Sequence, residues 1–180
     1  MSIIHRIRIY HATLAILAIL AYLTGDFGII HSWLGYGVAA IISLRLLWAL
    51  SGNQNVGLMR FYPDFEGLNL SNAATHPAIT KVFMLGIAIS LLAVTATGIA
   101  MDRGESIGLS NTELVSSAYA DDVWYKSDKG FFEEALEETH EFFANLLVLF
   151  VGLHVSYLLL FKRPLAKFML FIPKISGKGK

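Results

Sequence analysis

Four stretches of the chain carry no charged residue: Ile9 to Gly25, Phe27 to Leu44, Val82 to Met101 and Phe142 to Phe161, of 17, 18, 20 and 20 residues. Each matches the ~17–25 residues a helix needs to cross the hydrocarbon core of a bilayer. The pattern predicts an all-α, integral membrane four-helix bundle forming a single domain over residues 1–180. Its helices are expected near residues 9–25, 30–50, 77–101 and 131–161, with a loop over 102–130 and a tail over 162–180. A signal peptide is the rival reading of the first run, since Arg6 and Arg8 precede it. Thr24-Gly25-Asp26 lacks the small residues of a cleavage site, and three further spans follow.

Ahead of the fourth run, Phe131, Phe132, Ala135, Leu136, Thr139, Phe142 and Phe143 recur at helical spacing, with Glu133, Glu134, Glu137, Glu138 and Glu141 between them. This helix should start outside the membrane near Phe131, with Asp128 as its cap. A short surface helix is expected around Leu114 to Val123, with Trp124 and Tyr125 at headgroup level, and a frayed tail from Ser176.

Composition agrees: 55% of residues are apolar and 16% charged, against about 25% charged in soluble domains. Formal charge is zero, so the total carries no footprint for nucleic acid. Sorted by side, the charges separate. Basic residues in short loops stay cytoplasmic. Arg6, Arg8, Arg60, Lys81 and the six basic residues after Phe161 therefore put both termini inside, with the long 102–130 loop on the opposite side. Counting Arg45, the inner side holds 11 bases against Asp64 and Glu66, or +9; the outer side holds 12 acids against Arg103, Lys126 and Lys129, or −9. A membrane protein with a strongly acidic outer face suits a cationic partner there.

Cysteine is absent, which removes disulfides, thiolate metal sites and covalent haem attachment, so metal chemistry falls to the histidines. His140 and His154 lie 14 residues apart on the fourth helix, a rise of about 21 Å with an angular offset of about 40°, so both rings share one side. Imidazoles inside spans are costly and usually serve a function. At the outer helix ends only His31 can partner His140. On the inner side His11 is the deep partner for His154, because His5 precedes two arginines and His76 sits before Pro77 at a helix mouth.

Two histidines per level make a poor zinc site. They suit a haem iron ligated on both faces, which leaves no open position and so implies electron transfer rather than oxygen activation. The expected cofactors are two haem b groups, held by His31/His140 outside and His11/His154 inside. Arg45 lies on the face of His31 at the inner level, suited to a haem propionate or a quinone oxygen. Gly35, one turn from His31, lets a flat macrocycle approach the backbone, and Gly98 and Gly152 can do likewise, although Gly86 and Gly98 suit helix packing better than cofactor contact.

These residues resemble the bacterial cytochrome b561 and nickel-hydrogenase cytochrome b family over nearly the whole chain. The carriers are RIRIYH, HSWLGYGVAAIISLRLLW, THP, TGIAM and HEFFANLLVLFVGLH. The resemblance implies four helices, two haems b on His11, His31, His140 and His154, a quinone, and a redox partner such as a periplasmic c-type cytochrome or a hydrogenase. The family usually has His-Trp where this chain has His11-Ala12, and members thought to act alone carry histidines in helix three where Lys81 and Met84 stand here. THP and LVSSAYAD look more like the branch associated with c-type partners.

The expected function is electron transfer between the quinone pool and a periplasmic redox protein in a respiratory chain, by a protein otherwise in contact with lipid. The alternatives are a superoxide:quinone oxidoreductase, a cytochrome b subunit of a hydrogenase-like complex, or a small transporter or assembly factor. An acidic rim repels superoxide, and no span has the internal proline of a broken transporter helix.

Overall fold

The structure, a computed structural model, describes residues 3–50, 62–69, 71–72, 75–109 and 125–171. Its helices are α1 (Ile3–Leu23), α2 (Ile29–Leu50), α3 (Pro77–Asp102), α4 (Tyr125–Phe161) and a short α5 (Arg163–Met169). The first four are each long and apolar enough to cross a membrane.

Local chemistry sets the helix ends. Thr24 turns its hydroxyl back to the Leu20 carbonyl at 2.8 Å, and Gly28 takes φ +47°, so α1 and α2 form a tight hairpin. His76 caps α3, accepting from the Ala78 amide at 3.2 Å, with Pro77 in the first turn. Arg103 ends that helix in the left-handed region at φ 50°, its amide donating to Ile99 O.

Two helices run past their expected limits. Uncharged runs mark the membrane-crossing part of a helix rather than its ends: α1 begins at Ile3 and carries Arg6 and Arg8 as helical residues. The 37 residues of α4 span about 55 Å, well beyond a ~30 Å hydrocarbon core. Because α4 starts at Tyr125, Asp128 lies within it and is not its cap. The residues expected to form a surface helix at 114–123, with Trp124, and the tail from Ser176 lie outside the described residues.

Packing runs antiparallel from each long helix to the next, α1 on α2, α2 on α3 and α3 on α4. Tyr10 donates to the Ile41 carbonyl at 2.6 Å, fixing the α1–α2 register. Along α3 and α4 the contacts Phe83–Tyr157, Gly86–Phe150 and Thr97–His140 fix the other. Little is fully buried, while large apolar side chains such as Leu47 (66% exposed) and Ile89 (53%) face outward. A bilayer supplies the solvent for such a surface, and small residues let the helix backbones approach.

Gly86 shows how close that approach is: a Cβ there would meet three Phe150 ring atoms at 2.7–2.8 Å. Gly86→Val is therefore expected to lower stability by about 1–3 kcal/mol through overpacking. Thermal unfolding in detergent checks this, and adding Phe150→Ala should recover part of the loss.

At the end of the bundle where α1 starts, Arg8 is clasped between the rings of Phe168 and Phe171, its guanidinium carbon 4.4 and 4.0 Å from their centroids. The α5 segment thereby ties the start of α1 to the end of α4.

Candidate functional site

His31 occupies the first turn of α2, and its Nδ1 lies 2.9 Å from the carbonyl of Ala21 in the last turn of α1. A carbonyl can only accept, so Nδ1 carries the proton and Nε2 is left as a lone pair. Carbonyls in a last helical turn lack intrahelical partners, and the tight hairpin brings one of them to this ring.

His140 is fixed in the same way from α3. Thr97 donates its hydroxyl proton to Ala93 O at 2.9 Å, so its oxygen is free to accept from His140 Nδ1 at 3.1 Å. Gly98 makes room for this imidazole: a Cβ there would lie 3.1 Å from His140 Cε1. Both rings are thus oriented by their Nδ1 atoms, an arrangement typical of metal-binding histidines.

The ring centroids of His31 and His140 are 6.0 Å apart, with planes at 84°. With metal–nitrogen bonds near 2.0 Å and each nitrogen just over 1 Å from its ring centre, two imidazoles on opposite sides of one ion stand about 6.3 Å apart. The separation of the two ring centres in the structure matches that value. Gly35, one turn along α2, has no atom within 4 Å of where its Cβ would be, which leaves space beside the pair for a planar group.

At the other end, His11 and His154 lie within electrostatic range of one another. His154 Nδ1 is buried without a partner, whereas His11 presents an exposed surface. Arg45 stands beside Tyr10 and 5.9 Å from the Trp48 ring, and its Nη1 is also buried without a partner. A buried guanidinium N–H with nothing to donate to is costly and is relieved by an anion. Carboxylates of a bound group fit that need.

The remaining histidines are differently engaged. His76 accepts at Nδ1 from the Ala78 amide and donates from Nε2 to the Glu66 carbonyl at 3.2 Å, so it has no nitrogen left for a metal. His5 meets the edge of Phe171 with centroids 6.2 Å apart. Gly152 lies two residues before His154, on the opposite side of α4, and, like Gly35, has no atom within 4 Å of where its Cβ would be. Among the described residues, no three His, Cys, Asp or Glu side chains converge. A metal ion held by two imidazoles would need further ligands from a second molecule, such as the porphyrin of a haem, and His31 and His140 would be the residues to hold it.

Sequence reasoning missed Thr97 and the Ala21 carbonyl. Thr97 stands inside the TGIAM segment, but only the α3–α4 register makes it a partner of His140. A main-chain carbonyl leaves no residue signature.

The fold and these paired imidazoles define a class: a membrane-embedded helical bundle with facing histidines at a haem-compatible spacing. The chain belongs to the prokaryotic cytochrome b561 family, whose model matches residues 5–171. No curated protein and no solved structure gives a significant match. It is accordingly a multi-pass inner-membrane b-type cytochrome of electron transfer.

Proposed function

We propose that the protein is a di-haem relay, carrying single electrons between the quinone pool and a periplasmic c-type cytochrome or other cationic redox protein. The observation that carries this reading is the facing of His31 and His140 at 6.0 Å with both Nδ1 atoms engaged elsewhere. When bound, a haem with histidine on both faces supplies a one-electron couple with no open coordination position.

The chain's own residues do the rest. His31 and His140 hold the outer group, and His11 and His154 the inner one, about 21 Å away along α4. The Ala21 carbonyl and Thr97 fix the outer imidazoles in the tautomer that exposes Nε2. Arg45 offers its unpaired Nη1 to a haem propionate or a quinone oxygen, and Gly35 leaves the macrocycle room.

The acidic end is the docking side for the partner. There a cleft of about 250 Å³ between α3 and α4 is lined by Glu105, Glu133 and Glu137 with Arg103. The same charge disfavours the superoxide:quinone alternative, because an anionic substrate is repelled there.

The test is a reduced-minus-oxidised visible spectrum of purified protein with haem quantified per chain. Two b-type haems are expected. An absent b-type signal, or a count clearly below two, overturns the relay.

A further inference from the structure

Asp102 ends α3, where a carboxylate is disfavoured by the partial negative charge of the helix C-terminus. It is half-buried, and its partners are neutral. The Tyr36 hydroxyl donates to Oδ2 at 2.8 Å, the Ser106 hydroxyl donates to Oδ1 at 2.5 Å, and the Ser106 amide donates to Oδ2 at 3.3 Å. Ser32, the residue after His31, also reaches it. None of these groups brings positive charge, and the neighbouring guanidinium of Arg103 pairs with Glu133 on α4 at 2.6 Å.

The carboxylate is close to the outer histidines. Gly98 abuts His140, and Asp102 follows it on the same helix face, one turn or about 6 Å along the axis. Ser32 ties it to the turn that carries His31. Among the described residues, the groups bonded to this anion are neutral donors, so its charge is held in place without being cancelled by them.

We propose that Asp102 is a fixed negative charge that lowers the reduction potential of the outer site. This rests on the two-haem reading above. Taking up one electron turns ferric iron into ferrous and removes one unit of positive charge from the site. An anion one turn away stabilises the oxidised state over the reduced one, and the apolar surroundings strengthen the effect. Tyr36 and Ser106 keep the carboxylate ionised and immobile. Asp102 touches neither iron nor substrate; it acts through its field on the group held by His31 and His140.

The experiment is a spectroelectrochemical titration of purified wild type, Asp102→Asn, Asp102→Glu and Tyr36→Phe, with haem counted in each sample. Asparagine keeps the size and can still accept from Tyr36, so a purely structural role predicts no change. In Asp102→Asn we expect one midpoint potential to rise while the other stays fixed, with both haems bound. Asp102→Glu should return the midpoint toward wild type. Tyr36→Phe keeps the charge and should not raise it. Repeating Asp102→Asn in a His11→Ala background, where only the outer haem remains, should give the same rise.

A count of two haems with unmoved midpoints overturns the role of Asp102 and leaves the relay standing. So does an equal shift of both haems, or a rise in Tyr36→Phe matching that in Asp102→Asn. A wild type that binds no haem through His31 and His140 overturns both proposals.

Discussion

Replacing His140 with alanine should remove half of the haem absorbance per chain and leave the other half unchanged. His31→Ala should give the same spectrum, because the two rings face one another across a single site 6.0 Å from centre to centre. His11→Ala and His154→Ala should each remove the complementary half. His76→Ala should remove neither, since both of its nitrogens are spent on the α3 cap and the Glu66 carbonyl. Thr97→Val separates ligation from orientation. It keeps the imidazole but deletes the acceptor for its Nδ1 proton, and loss of such a supporting hydrogen bond typically costs 10–100-fold in metal affinity. The expected result is partial occupancy of the outer site alone, measured by haem titration into the apoprotein. Loss of both haems on any single histidine change, or of neither on His140→Ala, would falsify the assigned pairing.

The membrane helices were readable in advance, and so was the placing of His140 and His154 on one helix, for definite reasons. An uncharged run of 17 to 20 residues has few other uses, and a spacing of 14 puts His140 and His154 on one side of a helix whatever it packs against. The same reasoning placed His76 at a helix mouth, where it caps α3. Helix ends were less legible. Arginine and glutamate are good helix formers, so α1 and α4 continue beyond the apolar runs that announce them. Contacts between helices were the least legible, because they depend on register. Nothing in TGIAM says that Thr97 meets a histidine 43 positions away, nor that Tyr36 reaches Asp102 across 66. The clasp of Arg8 by Phe168 and Phe171 joins segments 160 and more positions apart in the chain, so no local pattern could reveal it. The level of Arg45 followed from counting down α2, whereas its unpaired nitrogen is a property of the packed bundle.

Electron exchange with a basic c-type cytochrome should slow by about tenfold or more as salt rises from about 10 mM to about 1 M, which shortens the Debye length from ~30 to ~3 Å. The zero formal charge hides the proposed cause: in the topology expected from the sequence, −9 falls on the outer side and +9 on the inner. Glu133, Glu134, Glu137, Glu138 and Glu141 are all exposed along α4, and Arg103 pairs with Glu133. The remaining carboxylates are free to steer a cationic partner, an effect that acts mainly on the association rate and is screened by salt. Replacing Glu134, Glu137 and Glu138 by lysine should therefore lower the low-salt rate and flatten the salt dependence, while the haem spectrum stays unchanged. Stopped-flow mixing with the partner cytochrome measures both quantities. A rate indifferent to salt, or one that climbs as salt is added, would instead place the docking surface away from this acidic end. The direction of the lysine effect also separates steering from damage: a damaged protein is slower at every salt concentration, whereas a protein that has lost steering matches the wild type once salt is high.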